Sequence, residues 1–251
     1  MDLKKKKLMA VLGVMFAATL MMSSTSQAAD SAPGEGYYAG LFLGHGTGIV
    51  QADVTVLDAG NGNTNANFET DRGGIGLSGI QGGAWLGWGM KTADDLYFGF
   101  EISGAGSDEK IRLKSNIDLV DNNRNTAVTS ATAKRNWVAG GALRVGYYVN
   151  NETLLALSGG VAISQFGVDI GNDSDTFYAG GPQVGASMTT QLSKLDPNLS
   201  LRMEFVYTDY LTAEINGIDG LSTDGASAGQ NNDSSLTGHD TAGRIGVTYR
   251  F

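Results

Sequence analysis

The feature that most constrains this chain is a two-residue alternation that runs to its last residue. Ile245, Val247, Tyr249 and Phe251 are apolar, and Arg244, Gly246, Thr248 and Arg250 between them are polar or small. A period of two puts these sets on opposite faces of an extended strand. The pattern recurs along the chain. Tyr37, Ala39, Leu41 and Leu43 oppose Tyr38, Gly40, Phe42 and Gly44, and Ile80, Ala84, Leu86, Trp88 and Met90 oppose Gln81, Gly83, Trp85 and Gly87. Leu96, Phe98, Phe100 and Ile102 oppose Tyr97, Gly99, Glu101 and Ser103; Trp137, Ala139, Leu143, Val145 and Tyr147 oppose Asn136, Gly140, Arg144, Gly146 and Tyr148. Leu155, Leu157, Val161 and Ile163 oppose Ala156, Ser158, Gly160 and Ser164; Val184, Ala186, Met188 and Leu192 oppose Gln183, Gly185, Ser187 and Gln191; Leu201, Met203, Phe205 and Tyr207 oppose Arg202, Glu204 and Thr208. This predicts eight strands and an all-β chain.

Which face points inward decides the class. The second face mixes glycine and aromatics with single charges. Such a face makes a poor surface against water and a good lining for a narrow, crowded lumen. With 37 glycines and 3 prolines the chain would be loop-rich if it lacked this alternation. Lipid around the uniform apolar face explains the pattern, because only a closed barrel carries strands through a bilayer with every backbone group paired. The expected fold is an eight-stranded antiparallel up-and-down transmembrane β-barrel, in which the last strand pairs with the first and no edge stays open.

The other terminus agrees. Lys4 to Lys7 precede an apolar run from Leu8 to Met22, and Ser26, Gln27 and Ala28 follow as a small-x-small site. This is the layout of a secretory signal peptide, and the run is shorter than the roughly 20 residues of a spanning helix. Cleavage after Ala28 is expected, with residues 29–251 forming one barrel domain. The chain carries 17 basic and 26 acidic residues, a net charge of -9, so a nucleic-acid partner is not expected. It has no cysteine, which excludes disulfides and thiolate metal sites. No cofactor is expected.

The connections alternate in length. Residues 46–72, 106–132 and 213–239 read as long polar loops, with a briefer one near Asp173 and Asp175. Between them lie the short turns KTADD, NNE and SKLDPN. Short periplasmic turns and longer extracellular loops are the asymmetry of outer-membrane barrels.

In the stretches FGFEISG, ALRVGYYV, LRMEFVYTD and GVTYRF the chain resembles the eight-stranded outer-membrane barrels of the OmpA transmembrane-domain and opacity-protein type. The resemblance implies that the terminal aromatic and the alternate apolar residues before it, here Phe251, Tyr249, Val247 and Ile245, are read by the barrel assembly machinery. It also implies an internal polar network that plugs the lumen, at Glu101, Arg144, Arg202 and Glu204. Gln183, in GGPQVGA, stands where that family's best-known member carries a second carboxylate, so this chain departs from the pattern there. The implied location is the outer membrane of a Gram-negative bacterium, with membrane lipid and lipopolysaccharide as surroundings and host or phage surfaces as partners of the loops.

The charges support inward placement without the resemblance. Glu101, Arg144, Arg202 and Glu204 all lie opposite apolar sets. On the lipid face each Arg would cost roughly 2–4 kcal/mol near the midplane, and a lone buried charge is costly anywhere. Mutual pairing inside the barrel is the inexpensive arrangement.

Enzymatic chemistry has little to work with. His45 and His239 are the only histidines. The local sequences His45-Gly46-Thr47 and His239-Asp240-Thr241 match neither a His-x-Ser deacylase arrangement nor a protease pair. Asp94-Asp95 falls on a short turn. Asn172, Asp173 and Asp175 supply oxygen ligands suited to calcium but lack the spacing of a calcium loop, and read as a solvated acidic turn. Two functions remain: a structural barrel that displays surface loops, with its lumen plugged, or a small low-conductance channel. A lipid-modifying enzyme ranks below both.

Overall fold

The computed structural model describes residues 32–57, 65–69, 75–113, 120–121, 124–125, 131–170, 173–214 and 235–251. The expected signal segment, 1–28, lies outside them. The described strands are β1 (Gly36–Leu57), β2 (Asn65–Glu69), β3 (Ile75–Lys91), β4 (Leu96–Ser107), β5 (Lys110–Leu113), β6 (Val120–Asp121), β7 (Arg124–Asn125), β8 (Ala131–Asn150), β9 (Thr153–Ile170), β10 (Asp173–Gln191), β11 (Leu199–Glu214) and β12 (Ser235–Arg250).

Eight of these, β1, β3, β4 and β8 to β12, are the long segments that the alternation predicts. Each pairs antiparallel with its neighbours, and β1 pairs with both β3 and β12, which closes the barrel. Directly paired residues can be followed once around the wall: Tyr38, Gly87, Glu101, Ala142, Gly160, Gln183, Thr208, Asp240 and back to β1 at Gly48. The path returns ten residues farther along β1 than it began. Strand number and stagger together fix tilt and bore, and eight strands leave an interior just wide enough for side chains to fill.

The wall has the inside-out character of a membrane barrel. Leu157 is 69% exposed on the outside, whereas Trp85 is 1% exposed inside. Leu41, Leu43, Ile80, Leu143 and Val161 share the exposed belt with Leu157. At the short-turn end the belt is rimmed by Tyr37, Trp88, Tyr147 and Tyr249. Tyr37 stands directly opposite Trp88, and the ring of Tyr249 meets that of Phe251 edge-on at 5.5 Å. At the other end Trp137 and Tyr178 pack with centroids 6.0 Å apart. Interfacial rings of this kind suit aromatic side chains, which have an apolar body and a polar tip.

The long loops are shorter than the sequence suggests. β1 continues to Leu57, β8 begins at Ala131 and β12 at Ser235, so much of 46–72, part of 106–132 and the end of 213–239 are strand. β2 adds to β1 beyond the barrel closure, and β5 carries the wall of β4 onward against β8. The physical reason is that a shift to polar residues marks where the apolar belt ends, not where pairing ends. Thr47, Val54, Thr55 and Val56 are β-branched residues of the kind enriched in strands, and partner strands are available. The candidate calcium turn is reduced in the same way: Asn172 lies outside the described residues, and Asp173 and Asp175 open β10 opposite Ile170 and Val168.

Candidate functional site: the lumen

Inward-facing residues fill the barrel in tiers. At the short-turn end Tyr97, Tyr148, Leu154, Ala156 and Ala32 form an apolar floor, with Tyr97 edge-on to Tyr148 at 6.2 Å.

Above the floor is an ionic tier. Glu101 on β4 receives both Arg202 Nη1 (2.5 Å) and Arg202 Nη2 (3.0 Å), a two-point contact from β11 across the bore. Arg144 on β8 donates to the same carboxylate at 3.3 Å, and to Ser187 Oγ at 2.9 Å. The Tyr38 hydroxyl donates to Glu101 Oε2 at 2.8 Å and accepts from Arg144 Nη1 at 3.0 Å. Arg202 also pairs with Glu204, whose other oxygen is 3.5 Å from Arg244 Nη1. This tier therefore holds three arginines and two glutamates, all buried.

The next tier is aromatic. Phe42 and Trp85 stack at 4.9 Å with 8° between their planes. The Arg202 guanidinium lies over Trp85 at 4.3 Å and the Arg244 guanidinium over Phe42 at 4.8 Å. Desolvated cation–π contacts of this kind help hold the arginines where water is excluded. Room for the indole comes from Gly40: a Cβ there would stand 2.1 Å from Trp85 Nε1. That nitrogen donates to Thr248 Oγ1 at 3.0 Å.

A second ionic tier lies toward the long-connection end. Arg135 on β8 donates to Asp240 Oδ2 at 2.5 Å and to Glu109 Oε1 at 2.5 Å. It also meets the Tyr210 hydroxyl at 3.2 Å, which in turn is 2.7 Å from Ser164 Oγ. Glu109 comes from the connection between β4 and β5, folded into the bore. Its carboxylate fills the space over Gly46, where a Cβ would be 2.1 Å away. Phe166 caps this tier, edge-on to Tyr210 at 5.4 Å and stacked on Phe177.

The tiers balance each other. The first carries one positive charge more than its carboxylates, the second one negative charge more than its arginine, and the two together pair four arginines with four carboxylates. In a low-dielectric bore a paired charge is far less costly than a lone one.

Of the residues expected in the network, Glu101, Arg144, Arg202 and Glu204 meet in the first tier. Gln183 points inward as well but donates its amide to Thr208 Oγ1 at 3.0 Å. Reading one strand at a time misses the whole second tier. Arg135 is in phase with Trp137 and so looks lipid-facing, but a bulge between Arg135 and Trp137 turns it inward. Glu109 and Asp240 lie at the ends of presumed loops. One signal is available in the sequence: an Arg in phase with a lipid-facing set costs enough to imply a bulge.

Of the residues weighed for catalysis, Asp240 belongs to the second tier, while His45, His239 and Asp95 are placed apart from the lumen. His45 is on the outer face, its Nε2 3.4 Å from Ser78 Oγ. His239 packs against the Tyr207 ring at 5.7 Å. Asp95, on the turn after β3, pairs with Lys91 at 2.8 Å. Among the described residues no group of three or more His, Cys, Asp or Glu is placed to hold a metal ion.

No protein-family model and no curated protein matches the chain. Solved structures with a related backbone path include Neisserial surface protein A, at 12% identity over 86% of this chain and 98% of that one, with a TM-score of 0.47. The outer membrane protease OmpT from Escherichia coli is similar at 10% identity over 91% and 99%, with a TM-score of 0.48. The outer membrane protein OprG from Pseudomonas aeruginosa is similar at 13% over 88% and 98%, with a TM-score of 0.42. Likeness at this level says nothing about activity.

Proposed function

We propose that the protein is an integral outer-membrane barrel of Gram-negative type with a structural and surface-display role. The barrel anchors the connections at its long-connection end, and its lumen is shut. The observation that carries this reading is the pairing across the bore: two charge-compensating tiers with an aromatic tier between them. A permanent pore would need a continuous polar path, and here the stacked Phe42 and Trp85 stand between the ionic tiers. The exposed apolar belt and its aromatic rim are the support for a bilayer location. Lipid and lipopolysaccharide are then the immediate surroundings, and host or phage surfaces are the partners proposed for the outer connections.

Single-channel recording on the protein refolded into planar bilayers tests this. The expected record is a flat baseline. A steady, reproducible conductance step would replace the display reading with the small-channel one.

The terminal strand carries a second proposed role, as the signal by which the assembly machinery recognises the chain through Ile245, Val247, Tyr249 and Phe251. Physically, Phe251 adds little to the finished barrel. Its backbone nitrogen donates to Tyr37 O at 3.0 Å and its ring touches Tyr249. Deleting Phe251 removes one half-buried side chain, worth about 1.5–3 kcal/mol at most. The truncated protein should refold in detergent nearly as well as the intact one, yet fail to accumulate in the outer membrane of cells. Normal cellular assembly of the truncated chain would leave Phe251 with a packing role only.

A further inference from the structure

The segment before β1 has its own structure. Ala32, Pro33 and Gly34 are buried, although they precede the first strand and belong to no wall. Glu35 N donates to Ala32 O at 3.2 Å, and Gly34 has φ of +84°. Proline second and a positive-φ glycine third is the signature of a type II turn. The Glu35 side chain reinforces it, accepting from Ala32 N at 3.1 Å. The segment is thus a small rigid knob whose shape is set locally.

The knob is held from two sides of the bore. On one side Arg250 of β12 donates to Ala32 O at 3.2 Å, while its other nitrogen reaches Asn198 Oδ1 at 2.7 Å. On the other side the Tyr148 hydroxyl of β8 donates to Pro33 O at 2.9 Å. Gly34 seats against Tyr97 and Leu154, where a Cβ would be 3.3 Å from the Tyr97 ring. The wall is shaped to match: at Gly89 on β3 a Cβ would stand 2.5 Å from Gly34 O. The floor described above is therefore partly the knob itself, since Ala32 belongs to the same cluster as Tyr97, Tyr148, Leu154 and Ala156.

We propose that residues 32–35 are a built-in stopper that seals the short-turn mouth of the barrel. The mouth is a cradle for one short peptide turn, and the chain supplies that turn. The stopper's Arg250 clamp lies on β12, directly opposite Tyr38 of β1 across the closing seam, so the cradle is complete only when the barrel is. Sealing by the stopper is separate from the ionic tiers above it and goes beyond the proposal of a shut lumen.

The absence of cysteine from the chain makes labelling of a single introduced thiol clean. Ala32→Cys reports on the stopper and Ala156→Cys on the lumen just inside it. In the refolded protein either thiol should react with a bulky maleimide at least about a hundredfold more slowly than in urea, because reaction requires local opening. Gly34→Val cannot hold the positive φ without strain, nor fit against Tyr97. Added to each labelling variant, it should release the knob and raise the reaction rate of the thiol by at least about tenfold, with the heat-dependent gel shift of a closed barrel retained. Should Gly34→Val prevent folding, Tyr148→Phe removes one clamp from outside the turn and should raise the same two rates. If the thiol of Ala32→Cys reacts in the folded protein as fast as in urea, the docked stopper is overturned. If releasing the knob makes the thiol of Ala32→Cys reactive while that of Ala156→Cys stays protected, the sealing role is overturned.

Discussion

The two ionic tiers of the lumen use the same chemistry and are built in different ways. In the first, Glu101, Arg144, Arg202 and Glu204 all project from the middle of regular strands, each at the position its alternation dictates. In the second, Arg135 is turned inward by a bulge and Glu109 reaches the bore from the β4–β5 connection. Both tiers are held by the wall: Asp108 N donates to Ile80 O at 3.0 Å and Arg135 N to Glu109 O at 2.9 Å, so the step between β4 and β5 keeps its pairing on either side. What differs is the charge left behind when a partner is removed. A guanidinium stranded in the first tier stays charged, whereas the two carboxylates of the second can share a proton.

The largest effect is expected at Glu101. Its carboxylate receives two arginines from opposite walls and the Tyr38 hydroxyl. In Glu101→Ala, Arg202 retains Glu204, but Arg144 is left with the neutral partners Tyr38 and Ser187. Stranding a buried cation costs about 3–5 kcal/mol. Urea unfolding of the variant in lipid vesicles should show that loss. A midpoint unchanged from the parent would mean that water reaches the tier and screens it.

This contrast also explains what can be read from the sequence. The eight strands, their faces and the first tier follow from period-two alternation, because a residue in an unbroken strand has only two directions to point. Gln183 shows the limit of that rule. Parity gives its face correctly, but the stagger of the barrel sets its height, and its amide bonds Thr208. Stagger is a property of the closed sheet and is written in no single segment. Arg135 shows a second limit, since one inserted residue at a bulge reverses parity and leaves little trace in composition. The strand extensions past the belt are hidden because a run of polar residues ends only the lipid-facing surface and not the strand. The stopper is hidden for a simpler reason. Ala32-Pro33-Gly34-Glu35 is a recognisable turn, but nothing local says that the turn docks in the bore.

An intermediate effect is expected from Arg135→Ala. Glu109 and Asp240 would then face each other without their shared cation, though Tyr210 remains nearby. Two carboxylates left facing each other can share a proton, a relief that a stranded guanidinium does not have, so about 3 kcal/mol, the low end for a broken buried pair, is the expected loss. The comparison sharpens if Arg135→Ala is combined with Glu109→Ala. Removing the second carboxylate should restore part of the stability. If the double variant is less stable than Arg135→Ala, Glu109 stabilises the wall by packing and not through Arg135.

The smallest effect is expected from Glu109→Ala alone, although Glu109 is 1% exposed and Glu101 is 6% exposed. Burial by itself would rank the two substitutions the other way. What separates them is the charge that each leaves behind. Without Glu109, Arg135 still pairs with Asp240 at 2.5 Å and meets Tyr210, so the second tier loses its negative excess and becomes one cation with one carboxylate. The first tier in Glu101→Ala instead retains three arginines against a single glutamate. The loss in Glu109→Ala reduces to one charge-assisted hydrogen bond and the void over Gly46, about 1.5–3 kcal/mol. Unfolding midpoints measured side by side should place Glu109→Ala nearest the parent, Arg135→Ala next and Glu101→Ala farthest. If Glu109→Ala proves as damaging as Glu101→Ala, the charge left behind does not set the order, and the distinction between the two tiers is one of construction only.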